Sequence, residues 1–273
     1  MFSFVSLYPY SIIALFVGKE HANLGEKLKP GRDDQVGWIG YLNEQGLYLP
    51  STQFVNLLEN FEKEFDILVV DDNSPDGTSK IVATLILEFP DRLYLEKRVG
   101  KNGLGTAYIH GFKWAINKKY DYIFEMDADF SHNPKDLIRL YNACAKQGAD
   151  VSVGSRYSQG VNVVNWPMKR VLLSYFASKY VRFITRIPLH DTTAGFVCWK
   201  REVLEKIQLD KIKFVGYAFQ IEMKFKAWKH GFNIKEVSVI FTDRTLGTSK
   251  MSGNIIYEAL FGVLKMKLKG LPK

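Results

Sequence analysis

Apolar positions along this chain keep two rhythms. Short runs of four or five apolar residues, rich in Val and Ile, alternate with stretches where apolar residues recur every three or four positions. The first rhythm suits buried strands and the second amphipathic helices, so the pattern predicts an α/β chain with a mostly parallel central sheet flanked by helices. The organising run is Ile67-Leu68-Val69-Val70, which ends abruptly in Asp71, Asp72 and the turn cluster Asn73-Ser74-Pro75-Asp76-Gly77. A helix follows over 78–89, carried by Ile81, Val82, Leu85 and Ile86. Further strands are predicted over 93–96, up to Met126, over 150–154 and over 235–241, and a polar turn at 191–196 leads into an apolar run over 196–199. Helices are predicted over 54–65, 106–117, 167–187, from 216 onward and over 254–269.

Residues 1–53 follow neither rhythm for long. Residues 2–17 imitate the apolar core of a signal peptide but lack a positive start and a small-residue cleavage site, so secretion is not expected. Residues 4–8 suit a strand stopped by Pro9, and 19–48, rich in Gly and charge, read as a long irregular segment. The predicted organisation is therefore an atypical segment over 1–53 and one α/β domain over 54–269, closed by an interfacial helix.

Composition changes this picture little: 47% apolar and 24% charged residues are ordinary for a globular chain. Charge changes it more. A net charge of +8 favours an anionic partner, whether nucleotide, nucleic acid or acidic membrane face. Cys144 and Cys198 offer neither a disulfide framework nor metal-ligand spacing, which fits a reducing compartment. No window holds about 20 consecutive apolar residues, so no bilayer-spanning segment is expected.

The candidate chemistry lies at the strand ends. A strand that delivers Asp71 and Asp72 to its carboxyl end, followed at once by a helix, has the geometry of a ligand site in an open α/β sheet; a plain capped turn fits the same residues. Asp127 and Asp129 close a second strand. Alternate residues of an extended chain point the same way, so both carboxylates can hold one hard divalent cation together with a substrate diphosphate. The turn Gly100-Lys101-Asn102-Gly103-Leu104-Gly105 opens a helix and offers backbone N–H groups and Lys101 to a phosphate, although a tight turn explains its glycines equally well. His132 reads as a loop residue rather than a ligand. The helix over 167–187 carries a broad apolar face with cations at Lys169, Arg170, Lys179, Arg182 and Arg186. That pattern suits either a core helix with a solvated basic face or one lying on a membrane surface.

Seven motifs occur in order: Val70-Asp-Asp-Asn-Ser-Pro-Asp-Gly-Thr, Gly103-Leu-Gly-Thr-Ala, Met126-Asp-Ala-Asp-Phe-Ser-His, Gly154-Ser-Arg-Tyr, Asp191-Thr-Thr-Ala-Gly-Phe, Gly216-Tyr-Ala-Phe-Gln-Ile-Glu and Asp243-Arg-Thr-Leu-Gly-Thr-Ser-Lys. As an ordered set over about 54–269 they resemble the polyprenol (dolichol) monophosphate mannosyltransferases, family 2 glycosyltransferases of the GT-A fold. The resemblance implies a metal-dependent, inverting transfer of mannose from GDP-mannose to a polyprenyl phosphate. It places Asp71, Asp72 and Asp76, with Lys101 and Gly105, at the nucleotide, and Asp127 and Asp129 on Mg²⁺ or Mn²⁺. Arg156, Arg170, Ser174, Arg244 and Lys250 fall to the phosphates, with Asp127, Asp129, Arg156 and Arg244 as the catalytic set. It further implies a cytoplasmic enzyme peripheral on the cytosolic membrane face. A different donor such as UDP-glucose, or an inactive scaffold that keeps the fold, remains open; a nucleic-acid partner, suggested by charge alone, is set aside.

The chemistry agrees with the residues. A phosphate monoester has its second pKa near 6, so the lipid phosphate is already anionic and needs no general base. Charge neutralisation is needed instead, and Asp191 accordingly reads as shaping the sugar site. At the amino end the chain departs from the family, which opens with a strand and Pro-Thr-Tyr-Asn-Glu; Tyr8-Pro9-Tyr10 is only a fragment of that. If residues 1–53 do not replace that strand, the sheet lacks a neighbour beside the strand at 67–70; residues 4–8 are the candidate to fill it, and weak selectivity for the nucleotide base is expected.

Overall fold

The computed structural model describes residues 12–18, 36–38, 65–73, 78–100, 103–126, 131–216, 218–243 and 253–269. The strands are β1 (Ile12–Gly18), β2 (Val36–Trp38), β3 (Phe65–Asp71), β4 (Leu93–Lys97), β5 (Tyr122–Glu125), β6 (Val151–Ser155), β7 (Val163–Val164), β8 (Val197–Lys200), β9 (Ile234–Ser238) and β10 (Phe241–Thr242). The helices are α1 (Thr78–Glu88), α2 (Leu104–Asn117), α3 (Asp136–Ala145), α4 (Met168–Thr185), α5 (Arg201–Lys206), α6 (Ala218–Lys229) and α7 (Gly253–Lys269).

The main sheet runs from β4 through β3, then β1 and β2, to β5, β8, β6 and β9. β1 is antiparallel to both β3 and β5, and β8 to both β5 and β6. The other pairings are parallel, so β2, β3, β4, β5, β6 and β9 all point the same way. Their carboxyl ends therefore share one edge of the sheet, where Asp71, Glu125 and Ser155 close their strands. The organising run is apolar without interruption because both its faces are covered. Ile67 and Val69 pack with Val82, Leu137 and Leu140 on one side; Leu68 and Val70 pack with Tyr108, Phe112 and Phe219 on the other. A third cluster, Val181, Ile221, Phe225, Val263 and Met266, joins α4, α6 and α7.

The neighbour beside β3 is supplied by β1, with Ile12 opposite Asp71 and Val17 opposite Asp66. The apolar run that imitates a signal-peptide core thus contributes a strand, antiparallel and later in sequence than the candidate at 4–8, which lies outside the described residues. Most of the segment at 19–48 and the predicted helix up to residue 64 also lie outside them; Phe65 already belongs to β3. The alternating stretch at 235–241 divides into β9 and the two-residue β10, which pairs with β7 in a small separate sheet. α5 and β7 carry too short a pattern to have been read from sequence, and α3, with Leu137, Leu140, Tyr141 and Cys144 at helical spacing, was not singled out.

Candidate functional site

The end of β3 is braced from within. Asp71 and Asp72 are buried, and Asp71 accepts a hydrogen bond from the Ser79 hydroxyl. Asp72 takes a two-point bond from Arg98, at 2.5 Å to Nε and 2.6 Å to Nη2. The third arm of that guanidinium, Nη1, donates to Thr106 Oγ1 at 3.0 Å, and the Thr106 hydroxyl donates to the Gly103 carbonyl at 2.7 Å. Arg98 therefore ties the end of β3 to the start of α2. Its partner lies 26 residues away, and no local pattern marks it.

Gly105 is a correction. Its N–H, expected to face a phosphate, donates to the Val215 carbonyl at 2.8 Å. A Cβ there would meet the Phe219 ring at 2.8 Å and the Phe214 carbonyl at 2.9 Å. This glycine is present for close packing against the segment entering α6. Gly103, at φ 93°, occupies the left-handed region that a glycine adopts without strain.

Asp127 and Asp129 lie outside the described residues, as do Asp76, Lys101, Arg244 and Lys250. Both ends of the acid segment are described. Before it, Met126 is buried and Glu125 sits wholly inside, accepting from Trp199 Nε1 at 3.1 Å and Gln220 Nε2 at 2.9 Å. After it, the Ser131 carbonyl accepts from the Thr242 N–H at 3.1 Å, and the His132 ring packs on Phe196 and Phe241 at 4.9 Å each. His132 is thus a packed loop residue. Among the described residues no group of three or more His, Cys, Asp or Glu could hold a metal.

The end of β6 delivers Arg156 into a pocket of acids and rings. Its Nε and Nη2 reach Asp191 at 2.6 and 2.7 Å, its backbone N–H reaches the same carboxylate at 3.0 Å, and Nη2 also reaches Thr193 Oγ1 at 2.8 Å. Tyr157, Trp166 and Phe241 surround the guanidinium, with ring centres 5.2, 5.4 and 5.7 Å from its carbon. Burial pushes the Asp191 carboxyl up, but the charge and hydrogen bonds of Arg156 outweigh it and hold Asp191 below the usual carboxylate range.

Arg170 approaches the same indole from α4, its guanidinium carbon 4.0 Å from the Trp166 ring centre. It pairs through Nη1 with Asp243 at 2.6 Å, and both side chains are about one-fifth exposed. Ser174, one helical turn on, sits beside the Tyr157 phenol, and Tyr175 packs edge-on against Tyr157 at 5.4 Å. The structure therefore gathers Arg156, Arg170 and Ser174 onto one wall. It sets that wall beside Phe241, on which His132 packs after the acid segment. Trp166, Phe241, Asp243 and Arg98 were not singled out from sequence, since each reaches the site through partners distant in the chain.

The comparisons with known proteins agree with this geometry. Residues 43–208 match the model for "Glycosyl transferase family 2". The chain is 48% identical over 204 residues to the polyprenol monophosphomannose synthase of Mycolicibacterium smegmatis, covering 75% of this chain and 77% of that protein. It is 43% identical over 205 residues to the undecaprenyl-phosphate mannosyltransferase of Micrococcus luteus, covering 75% and 83%. Among solved structures, the glucosyl-3-phosphoglycerate synthase of Mycobacterium tuberculosis, crystallised with Mn²⁺, uridine diphosphate and phosphoglyceric acid, superposes with a TM-score of 0.58 at 15% identity. That likeness covers 85% of this chain and 77% of the other, and it shows the GT-A fold. The chain belongs to glycosyl transferase family 2 and is a glycosyltransferase.

Proposed function

We propose that the protein transfers mannose from GDP-mannose to a polyprenyl phosphate, with inversion, at a membrane surface. The observation that carries this reading is the wall formed by Arg156, Arg170 and Ser174 next to the segment that carries Asp127 and Asp129. Arginine forks on aromatic faces suit a phosphate held close to a second anion. A guanidinium has five N–H donors, and among the described residues Arg170 uses one of them, on Asp243. An arriving phosphate competes for that arginine, about one-fifth exposed, while Arg156 stays fixed by Asp191. Two mannosyl-transferring relatives named for polyprenol and undecaprenyl phosphate support the same acceptor.

Asp191 is committed to Arg156, and a phosphate monoester is already ionised at neutral pH. The reaction therefore needs no carboxylate base: the lipid phosphate oxygen attacks the anomeric carbon, and the nucleoside diphosphate departs. Two hard carboxylates at a strand end, bounded by a buried Met126 and a Ser131 held by Thr242, fit a divalent cation. Asp127 and Asp129 would hold it, and when bound it supplies charge neutralisation for the leaving diphosphate.

The lipid-side surface is consistent. Met168, Phe176 and Phe183 of α4 and Phe261 and Leu268 of α7 are exposed. A groove of about 900 Å³ between the two helices is rimmed by Lys179, Arg182, Arg186 and Lys267. Among the described residues no helix is long and apolar enough to cross a membrane. Apolar side chains among cations suit attachment to an anionic bilayer surface, each cation adding about 1 kcal/mol.

The test is a product assay. Polyprenyl phosphate in anionic vesicles is incubated with GDP-mannose, UDP-glucose or GDP alone, with Mg²⁺, Mn²⁺ or a chelator. Metal-dependent formation of a mannosyl lipid from GDP-mannose is expected. Transfer from UDP-glucose in preference, or no transfer from any donor, contradicts the proposal.

A further inference from the structure

Resting on that reading of the site, we propose that Gln220 and Lys224 of α6 are positioning residues that hold the acid-bearing end of β5 in register with the turn that fixes Arg156. The two halves of the site belong to different strands, and in-line transfer requires their anions at a set separation. One buried polar chain connects them. Glu125 closes β5 two residues before Asp127 and receives the Gln220 amide at 2.9 Å. The Gln220 Oε1 atom accepts from Lys224 Nζ at 3.2 Å. Lys224 Nζ also donates to the Gln220 backbone carbonyl at 3.1 Å and to the Ala194 carbonyl at 2.6 Å. Ala194 lies in the Asp191–Gly195 turn, whose first residue binds Arg156 through three hydrogen bonds.

The chemistry of Lys224 is what calls for a role. Its side chain is wholly buried, and its three donors meet three neutral oxygens rather than a carboxylate in direct contact. Burying an ammonium is costly, and an apolar residue of similar volume commonly serves stability as well or better. What the ammonium supplies and a methyl cannot is direction, since it fixes the Ala194 carbonyl and the Gln220 amide relative to each other. That orientation in turn aims the Gln220 N–H at Glu125. Trp199 Nε1, on the other oxygen of Glu125, completes the fit. The side-chain hydrogen bonds of Gln220 and Lys224 go to Glu125, to each other and to the Ala194 carbonyl rather than to Arg156, Arg170 or Ser174, so both act through Glu125 and the turn.

Gln220→Met, Lys224→Met and the double variant test the proposal, since methionine keeps approximate length and apolar fit. Each is checked for cooperative thermal unfolding and for initial rates against donor and lipid. Peptides spanning 191–196 and 122–126 are followed by amide hydrogen exchange. A displacement of order 1 Å costs up to about 100-fold in rate, so kcat is expected to fall at least about tenfold with both KM values within about twofold. Residues acting as one unit are non-additive, so the double variant should be no slower than the worse single one. Exchange should quicken at 191–196 in Gln220→Met, although Gln220 makes no side-chain bond to that turn, and at 122–126 in Lys224→Met. Unchanged exchange and kcat in Gln220→Met, or losses that multiply in the double variant, overturn the coupling. If wild type shows no transfer, the functional reading fails, while the exchange patterns still decide whether the two segments are joined.

Discussion

The carboxyl ends of β3 and β6 each close on an arginine gripping an aspartate at two points, yet the two pairs do different things. Arg98 takes Asp72 at 2.5 and 2.6 Å and spends its remaining arm on Thr106, at the start of α2. Among the described residues the partners of this pair join the end of β3 to the start of α2, and the pair acts as a brace. Arg156 takes Asp191 at 2.6 and 2.7 Å, but three aromatic rings surround it and a second arginine stands across Trp166. The same ion pair is thus a brace in one place and, in the function we propose, part of an anion-receiving wall in the other. The neighbours decide which, and above all the Arg170–Asp243 pair, about one-fifth exposed, which stands beside β6 and has no counterpart beside β3 among the described residues.

The comparison breaks most visibly at Asp191. Asp191→Asn removes one charge of a buried pair, for which about 3–5 kcal/mol is the usual cost. The folded-state pKa of Asp191 lies below its ordinary value, so its contribution is present above roughly pH 4 and is lost as pH falls through the folded pKa. Urea unfolding should therefore separate wild type from variant strongly at pH 7, with the gap closing in acid. Glycosyl transfer should be lost as well, because Arg156 loses the partner that aims it.

A middle effect is expected at the β3 side. Gly105→Ala places a methyl against the Phe219 ring and the Phe214 carbonyl, and overpacking of this kind costs about 1–3 kcal/mol. A lowered Tm with donor affinity little changed marks Gly105 as a packing residue. Unchanged stability with donor binding abolished would return it to the phosphate. Smallest is Asp243→Asn, which removes the charge of a pair about one-fifth exposed but keeps an amide oxygen that still accepts from Arg170. Its stability by denaturant titration should match wild type, while lipid binding tightens because the competitor for Arg170 is then uncharged.

Much of this arrangement was legible in the chain, and the part that was not has a common cause. Strands β3 and β5 announced themselves because burial on both faces demands apolar runs, and β6, Val-Ser-Val-Gly-Ser, by its two valines before the Gly-Ser-Arg-Tyr motif. The motif order marked their carboxyl ends, including Arg156. Arg170 and Ser174, four apart on one helix, lie in none of the seven motifs and were placed by the family resemblance. The partners of these residues were not legible: Asp72 finds Arg98 across 26 positions and Arg156 finds Asp191 across 35, distances at which no periodicity speaks. Gly105 misled because a glycine admitted by a distant Phe219 looks, in sequence, the same as one that admits a phosphate. β1 was hidden inside a run resembling a signal-peptide core, and the two-residue β7 and β10 are too short to show a period. Yet their pairing is what brings Asp243 to Arg170 and Thr242 to Ser131.

The central claim is that the wall beside β6 receives the lipid phosphate, and Arg170→Ala tests it most directly. Arg170 contributes to the fold through its pair with Asp243, about one-fifth exposed, and its contact with the Trp166 ring, so the variant is first checked for cooperative thermal unfolding. A charge-assisted hydrogen bond is worth about 1.5–3 kcal/mol, or roughly 10- to 150-fold. Steady-state rates with polyprenyl phosphate and nucleotide sugar varied independently should show the lipid KM rising by that factor. The donor KM should stay within about twofold of wild type. An unchanged lipid KM, or a rise confined to the donor, would contradict the assignment of this wall to the acceptor.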